Sequence, residues 1–161
     1  MSNLAPLVGE ILTEHQAEAM VLDPSQHSIE QAQQLKKAAF LLADVALATS
    51  GTVSLEISAA GLPMVIAYRA NLLTEFLIKR LARIDTATLA NIITDRKAIP
   101  EFLFADCEPD AIADELQRLL QEPERADAQK EASSAALKAL GRGGEAPGLR
   151  AAKSVLNFLK R

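Results

Sequence analysis

Two short apolar runs, separated by a turn and a helical segment, constrain the fold of this chain more than any other feature. Residues 45–48 and 64–67 are these runs, and Gly51, Gly61 and Pro63 lie close to their ends. Such runs are typical of strands that are covered on both faces of a parallel sheet. Residues 53–60 between them predict a helix, so the order of elements predicts a βαβ unit. We therefore expect an α/β fold with a parallel sheet flanked by helices.

The turn that leaves the first predicted strand contains Ser50, Gly51 and Thr52 and lies at the start of the predicted helix. In open α/β folds, ligands bind at the carboxyl ends of the strands, and the first amides of a helix attract anions. Glu56 follows one helical turn later, where its carboxylate can accept hydrogen bonds from sugar hydroxyls. This pattern indicates a nucleotide or a sugar nucleotide. An ordinary turn followed by a solvated glutamate fits the same residues, and both interpretations stay open at this point.

Charge and composition argue against several classes of function. The formal net charge is −4 and aromatic residues make up 4% of the chain, which argues against broad nucleic-acid binding. The length of 161 residues and the hydrophobic fraction of 49% fit one domain over residues 1–161. A single cysteine fits a reducing compartment, and the sequence shows neither a signal peptide nor an apolar run that could span a bilayer. We therefore expect a cytoplasmic protein.

The rest of the chain is predicted to be mostly helical. Ser28 and Gln31 match a capping box, and Pro109 and Pro123 suit the first position of a helix. The predicted helices are residues 4–18, 28–42, 71–83, 109–121, 123–140 and 147–160, and further strands are predicted at residues 19–22 and 88–93. The helix over residues 71–83 has two interpretations. Either it packs on the domain with solvated basic ends, or it presses Lys79, Arg80 and Arg83 against anionic lipid headgroups at a membrane surface.

Several common signatures are absent from the sequence. Neither G-x-G-x-x-G nor the P-loop pattern occurs, so the usual signs of dinucleotide binding and phosphoryl transfer are missing. His15 and His27 have no partner at the spacing of metal ligands, and we expect neither a metal nor a cofactor. A polar group remains at Asn91, Arg96 and Glu101, in and just before a further apolar stretch at residues 99–103.

The order of several blocks resembles a known family, the lipid-A-disaccharide synthases. Residues 44–56 and 61–69 resemble the donor-binding segment of that family, and residues 71–74 continue it. Residues 89–103 resemble an asparagine-containing block that ends in Pro-Glu and a hydrophobic residue, and residues 140–144 precede a final helix as in the family. The resemblance extends from about residue 38 to the C-terminus. Ala90 stands where many members have Pro, and Asp95 where many have Gly.

This resemblance implies a fold and a reaction. The family consists of inverting glycosyltransferases with two Rossmann-like domains around a cleft, the GT-B architecture, and this chain is similar to the C-terminal domain with its terminal helices. The implied reaction transfers 2,3-diacylglucosamine from UDP-2,3-diacylglucosamine to 2,3-diacylglucosamine 1-phosphate, without a metal. The implied site has a turn that holds the diphosphate, a carboxylate on the ribose, and side chains that line the cleft. Carried onto this chain, these are Ser50, Gly51 and Thr52, then Glu56, and finally Asn91 and Arg96 with support from Arg69.

The resemblance also implies what this chain needs from elsewhere. We find no counterpart of the N-terminal domain, which carries the acceptor side of the cleft and the general base. We therefore expect no turnover by this chain alone, and we expect its partners to be a separate N-terminal half, a second copy or an anionic inner-membrane surface. Two alternatives stay open. One is a non-catalytic module that binds UDP or a sugar nucleotide, and the other is a different GT-B enzyme that acts on a UDP sugar.

Overall fold

The structure, a computed structural model, describes residues 4–70 and 86–159. The chain divides into two compact units, one that ends at Ala43 and one that begins at Asp44. The single domain predicted over residues 1–161 stays a prediction. The predicted helix over residues 71–83, with its basic side chains, lies outside the described residues.

The N-terminal unit contains two helices. They are α1 (Ala5–Glu14) and α2 (Ile29–Leu42), and a short 3₁₀ turn at Pro24–Gln26 lies between them in the chain. The capping box predicted at the start of α2 is confirmed. The Gln31 N–H donates to Ser28 Oγ at 3.2 Å, and the Ser28 N–H donates to Gln31 Oε1 at 3.1 Å. Two amides at the helix start are thereby satisfied by side chains.

Two sequence predictions in this unit are wrong. Helix α1 ends at Glu14 instead of residue 18, because Gln16 has a left-handed backbone with φ of 51° that a right-handed helix cannot contain. Residues 19–22 do not form a strand. A strand bonds its backbone groups to a neighbouring strand, and none of the strands within the described ranges pairs with this segment. The apolar run alone is therefore insufficient to predict a strand.

The C-terminal unit contains a parallel sheet with the strand order β1 (Ala46–Ala48), β2 (Met64–Tyr68) and β3 (Glu101–Leu103). Helix α3 (Thr52–Ala60) connects β1 to β2, and the connection from β2 to β3 contains helix α4 (Leu89–Thr94). Parallel strands joined by crossover helices form a Rossmann-like arrangement. The predicted fold class, an α/β protein with a parallel sheet flanked by helices, is confirmed.

Helix α4 occupies a segment for which the sequence predicts a strand, and this prediction is wrong. The β-branched residues of the segment favour a strand by propensity. In the structure, Thr88 is the extended residue before the helix, and Asp95 ends the helix with a left-handed φ of 50°. The actual strand, β3, begins only at Glu101. Propensity was overridden by contacts with distant parts of the chain, which are described with the site.

Three helices follow β3 in the chain. They are α5 (Pro109–Gln121), α6 (Pro123–Ala139) and α7 (Pro147–Leu159). Each begins at a proline. Proline lacks an N–H, and this costs nothing at the first helical position because the N–H there has no acceptor within the helix. The predicted bounds of α5 are confirmed, and those of α6 and α7 agree closely with the prediction.

The core of the C-terminal unit lies on both faces of β2. On one face, Val65 packs with Ile112 and Leu119 of α5. Side chains alternate between the faces of a strand, so Met64 and Ile66 point to the other face, where they are also fully buried. Burial on both faces explains why this strand has a continuous apolar sequence instead of an alternating one.

A buried glutamine on α6 holds the start of β2. Gln129 is 2% exposed, and its Oε1 accepts a hydrogen bond from the Met64 N–H at 2.9 Å. Its Nε2 donates to the Met64 carbonyl at 3.0 Å. A buried peptide group left without a partner costs about 1–3 kcal/mol, so Gln129 stabilises the unit. It fixes the amino end of β2, whereas the predicted ligand turn follows the carboxyl end of β1.

Candidate functional site

The turn between β1 and α3 is where the sequence predicts an anion site. Ser50 and Gly51 lie between the last residues of β1 and the start of α3. Gly51 is the residue before the helix and has φ of 143° and ψ of −162°, a conformation that favours glycine. A Cβ atom at Gly51 would meet no heavy atom of the described residues within 4 Å. Within the described part of the chain, the Cβ side of Gly51 is therefore not occupied by other atoms.

The start of α3 offers amide groups and a positive dipole end. None of the described side chains caps this helix start. The Gly51 carbonyl is engaged, because it accepts from the Ser54 N–H at 3.2 Å and from Ser54 Oγ at 2.7 Å. The first amides of a helix have no carbonyl partner within it, and the helix dipole makes this end positive. Such a helix start can bind a phosphate group.

The side chain of Ser50 is turned away from this role and bonds to another segment. Ser50 Oγ donates to the carbonyl of Ala87 at 2.8 Å. Ala87 belongs to the short stretch before α4 and is far from Ser50 in sequence. This hydrogen bond joins the turn after β1 to the segment that leads into α4. Because the hydroxyl proton is used here, Ser50 can offer a ligand its backbone N–H but not its hydroxyl proton.

A carboxylate on β3 holds the same segment. Glu101 accepts hydrogen bonds from Thr86 Oγ1 at 2.7 Å, from the Ala87 N–H at 3.0 and 3.3 Å, and from the Thr88 N–H at 2.5 Å. Hydrogen bonds to an ionised acceptor are stronger than those between neutral groups. The three residues before α4 are therefore fixed to the first residue of β3.

Asn91 ties α4 to the segment that leads into β3. Its Nδ2 donates to the Ile99 carbonyl at 2.8 Å, and its Oδ1 accepts from the Ile99 N–H at 3.0 Å. The side chain is 2% exposed, so these two bonds are made in the core. The sequence singled out Asn91 and Glu101 as polar residues near an apolar run. It contained no signal for their partners, because both side chains bond to backbone groups of distant segments.

The other predicted site residues are exposed. Glu56 lies on α3 one helical turn after its start, and Arg69 directly follows β2. Since parallel strands end at the same edge of a sheet, Arg69 and the turn after β1 share one edge. Arg96 follows the end of α4, on the connection to β3, and its N–H donates to the Asn91 carbonyl at 3.2 Å. The parts that these side chains play in binding stay predictions.

The two departures from the family pattern fall at positions where local structure explains them. Ala90 is the second residue of α4, in the first turn, where a proline is also tolerated. Asp95 has the left-handed conformation that ends α4, which glycine adopts most easily and aspartate also accepts.

A cavity of about 500 Å³ opens beside β3 and α6, and Glu101 and Glu115 are among its lining residues. Glu115 bonds to Arg118 at 3.4 Å and to Arg125 more closely. These ion pairs are internal to the unit and satisfy the carboxylate. Among the described residues no group of three or more histidine, cysteine, aspartate or glutamate side chains is placed to hold a metal ion.

The fold defines a Rossmann-like α/β protein, in which a glycine-containing turn and a helix start follow the carboxyl end of β1. Residues 1–148 match the family described as lipid-A-disaccharide synthetase. The chain belongs to this family. None of the helices within residues 4–70 and 86–159 combines the length and the apolar character needed to cross a membrane.

Individual relatives agree with this assignment. The chain is 43% identical over 157 residues to a lipid-A-disaccharide synthase of Ruegeria pomeroyi, which covers 98% of this chain and 38% of that protein. It is 40% identical over 125 residues to a lipid-A-disaccharide synthase of Paramagnetospirillum magneticum, covering 76% of this chain and 32% of that protein. The matched part of the chain thus spans about a third of the length of these curated relatives.

Proposed function

We propose that this chain is the donor-binding part of a lipid-A-disaccharide synthase, and that the turn between β1 and α3 binds the diphosphate of a UDP sugar. The observation that carries this proposal is the similarity of 98% of the chain to a synthase of that name. The donor is UDP-2,3-diacylglucosamine and the acceptor is 2,3-diacylglucosamine 1-phosphate. The reaction class is glycosyl transfer by a GT-B enzyme.

The turn suits the charge that develops in this reaction. The acceptor hydroxyl forms a bond to the anomeric carbon of the donor sugar, while the bond between that carbon and the β-phosphate oxygen breaks. Negative charge then grows on the departing UDP. Amide groups at the start of α3 stabilise this charge because they are already oriented towards the anion. The acceptor hydroxyl also gives its proton to a base, which we place on the part of the synthase that this chain does not span.

The resemblance to the family assigns a role to each proposed binding residue, and the position of each residue is compatible with that role. Ser50, Gly51 and Thr52 offer backbone N–H groups to the diphosphate, and the Ser50 hydroxyl contributes indirectly by holding the Ala87 carbonyl at 2.8 Å. Glu56 lies one turn further along α3 and accepts hydrogen bonds from the ribose hydroxyls.

Three further residues are assigned to the cleft beside the donor. Arg69 lies at the same sheet edge as the turn, where its charge attracts the diphosphate. Arg96 supplies a second cation on the connection to β3. Asn91 acts through the backbone that it holds, since its amide is bonded to Ile99 on both sides.

Binding of UDP to this chain is the first test of the proposal. Isothermal titration calorimetry with UDP should show saturable binding at one site. Adenosine diphosphate, which has the same diphosphate, serves as the control and should bind more weakly if the uracil base is recognised as well. Absence of UDP binding by the folded chain would contradict the assignment of the turn.

Turnover is the second test, and it separates an enzyme part from a module that only binds. The chain alone should produce no disaccharide from radiolabelled donor and acceptor. Co-expression with the N-terminal portion of a synthase should restore product formation. A chain that binds UDP but gives no product with that portion would instead be a non-catalytic sugar-nucleotide module.

Acylated substrates give a reason for contact with an anionic membrane surface. Flotation with vesicles that contain anionic lipid should carry part of the protein, and changing Lys79, Arg80 and Arg83 to Ser should reduce that part. Equal flotation of both forms would remove the basic segment from the proposal. Sedimentation analysis would show whether the chain also associates with a second copy.

A further inference from the structure

We infer that Glu101 is a positioning residue for the diphosphate turn, although it lies on another strand and its carboxylate bonds to neither Ser50 nor the amides of α3. This inference rests on the proposed function, because it names the group that orients the same site. Glu101 acts through the Ala87–Thr88 peptide, to which it and Ser50 are both bonded.

The register of the sheet places Glu101 level with the end of β1. Ala48 pairs with Ile66 on β2, and Ile66 pairs with Glu101 on β3. The three residues therefore form one row across the sheet. Ser50 comes two residues after this row, at the carboxyl end of β1. A side chain on Glu101 is thus at the correct height to act on the segment beside the turn.

The central contact is made to a single peptide unit. The N–H of this unit, on Thr88, donates to Glu101 at 2.5 Å, and its carbonyl, on Ala87, accepts from Ser50 Oγ at 2.8 Å. A trans peptide is planar, and its N–H and C=O point in opposite directions. Glu101 and Ser50 therefore hold the two opposite edges of the same rigid plane. A rotation of that plane would break both bonds together.

Bonds to the neighbouring groups prevent such a rotation. Glu101 also accepts from the Ala87 N–H and from Thr86 Oγ1, so its two oxygens fix three consecutive residues. Hydrogen bonds in a chain polarise one another, which strengthens each. The carboxylate thus makes the Ala87 carbonyl a fixed acceptor for the Ser50 hydroxyl.

The turn needs an anchor of this kind because its own backbone is permissive. Gly51 follows Ser50 directly and has a conformation open to glycine, so it imposes little on the direction of the next amides. The bond to Ala87 fixes the turn at Ser50, and the first residues of α3 fix it at its other end. The amides between them are then held in one orientation before a ligand arrives, which reduces the ordering cost of binding.

The experiment compares Glu101→Ala and Glu101→Gln with the unchanged chain. Glu131→Ala is the matched control, because Glu131 is an exposed glutamate on α6 and its change removes the same charge. Affinity for UDP is measured by calorimetry, and amide hydrogen exchange is measured at residues 50–52 and 86–88. Circular dichroism and thermal unfolding establish that each variant is folded.

If Glu101 positions the turn, Glu101→Ala raises the Kd for UDP by about tenfold, the size of one lost hydrogen bond to a charged group. Exchange at residues 50–52 becomes faster, although these residues do not touch Glu101. Glu101→Gln keeps one carbonyl acceptor and so recovers part of both effects. Combining Glu101→Ala with Ser50→Ala weakens binding by less than the product of the single changes, because the two residues act through one peptide.

Three results would overturn the inference or separate it from the proposed function. Unchanged UDP affinity in both Glu101 variants would overturn it, and so would losses no larger than that of Glu131→Ala. Should the unchanged chain fail to bind UDP, the proposed function fails, and exchange at residues 50–52 alone decides whether Glu101 orders the turn. Should Glu101→Ala not fold, the same comparisons are made with Glu101→Gln.

Discussion

Ser50 and Glu101 are joined through one peptide unit without touching each other. The Ser50 hydroxyl donates to the Ala87 carbonyl at 2.8 Å, and the Thr88 N–H of the same unit donates to the Glu101 carboxylate at 2.5 Å. The turn after β1 and the first residue of β3 are therefore linked across β2. The conformation of the turn therefore depends on a residue of another strand as well as on its own sequence.

The conformation of Gly51 should be essential for the site. Replacing Gly51 with Ala puts a Cβ at φ of 143°, which is strained even though no described heavy atom lies within 4 Å of that Cβ. We expect the free energy of unfolding to fall by about 1–3 kcal/mol, and the affinity for UDP to fall because the turn shifts. Urea unfolding and calorimetry measure the two effects.

Gly148→Ala is the control for that change. Gly148 lies in the first turn of α7, and a Cβ there meets no described heavy atom within 4 Å. Ala suits a helix better than Gly by up to about 1 kcal/mol, so this variant should be as stable as the unchanged chain or slightly more stable. Equal stability of Gly51→Ala and Gly148→Ala would show that the turn is not strained by a side chain.

Recognition of the ribose can be tested with a matched pair of ligands. Glu56→Ala should weaken UDP binding by about 1–3 kcal/mol if a hydrogen bond to a ribose hydroxyl is lost. The same change should have less effect on 2′-deoxy-UDP if the 2′-hydroxyl is the partner. Calorimetry with both ligands on the unchanged chain and on Glu56→Ala gives the coupling energy between Glu56 and the 2′-hydroxyl. Equal losses for the two ligands would move the contact to the 3′-hydroxyl, and no loss for either would remove Glu56 from the site.

We expect replacement of Asn91 to lower the stability of the fold. Both polar atoms of its amide bond to the Ile99 backbone in the core, so Asn91→Ala leaves a buried N–H and a buried carbonyl without these partners. We expect a loss of about 2–6 kcal/mol in the free energy of unfolding, from two groups at roughly 1–3 kcal/mol each. Urea unfolding measures it. A loss below about 0.5 kcal/mol, the level of a neutral surface change, would contradict this role.

Asp95 offers a change that should stabilise the protein. Its φ of 50° is a left-handed conformation that ends α4. Asp95→Gly removes the steric cost of a side chain there, and we expect a gain of about 0.5–1 kcal/mol in the free energy of unfolding. Asp114→Gly in the middle of α5 is the contrasting variant, because Asp114 is exposed and glycine in a helix interior should lower stability. A loss in both variants would show that the Asp95 side chain contributes contacts that outweigh its strain.

The sequence predicted those elements whose signals are local. Residues 45–48, 53–60 and 64–67 gave β1, α3 and β2, because a buried parallel strand needs an apolar run and the intervening helix needs only its own spacing. Proline at the start of α5 and α6 marked their first residues correctly. The resemblance, which joined these elements to later blocks, added the family that the comparisons confirmed.

Elements that depend on distant contacts were missed. The segment of α4 carries β-branched residues, and its helical state is fixed by the bonds from Asn91 to Ile99 and from Glu101 to the residues before the helix. A single sequence contains no sign of which backbone groups a buried asparagine or glutamate will meet. The same limit applies to Ser50, whose partner at Ala87 is brought close only by the crossover between β2 and β3.

Helix α3 starts without a cap from any side chain in the described ranges. A side-chain cap adds about 1 kcal/mol to the stability of a helix, and an anion seated on the same amides can supply that energy in its place. Binding of the anion and formation of the first helical turn are then coupled, so each stabilises the other. UDP should therefore protect the amides of residues 52 and 53 from exchange in proportion to saturation, and withdrawal of the nucleotide should let this end of the helix fray first.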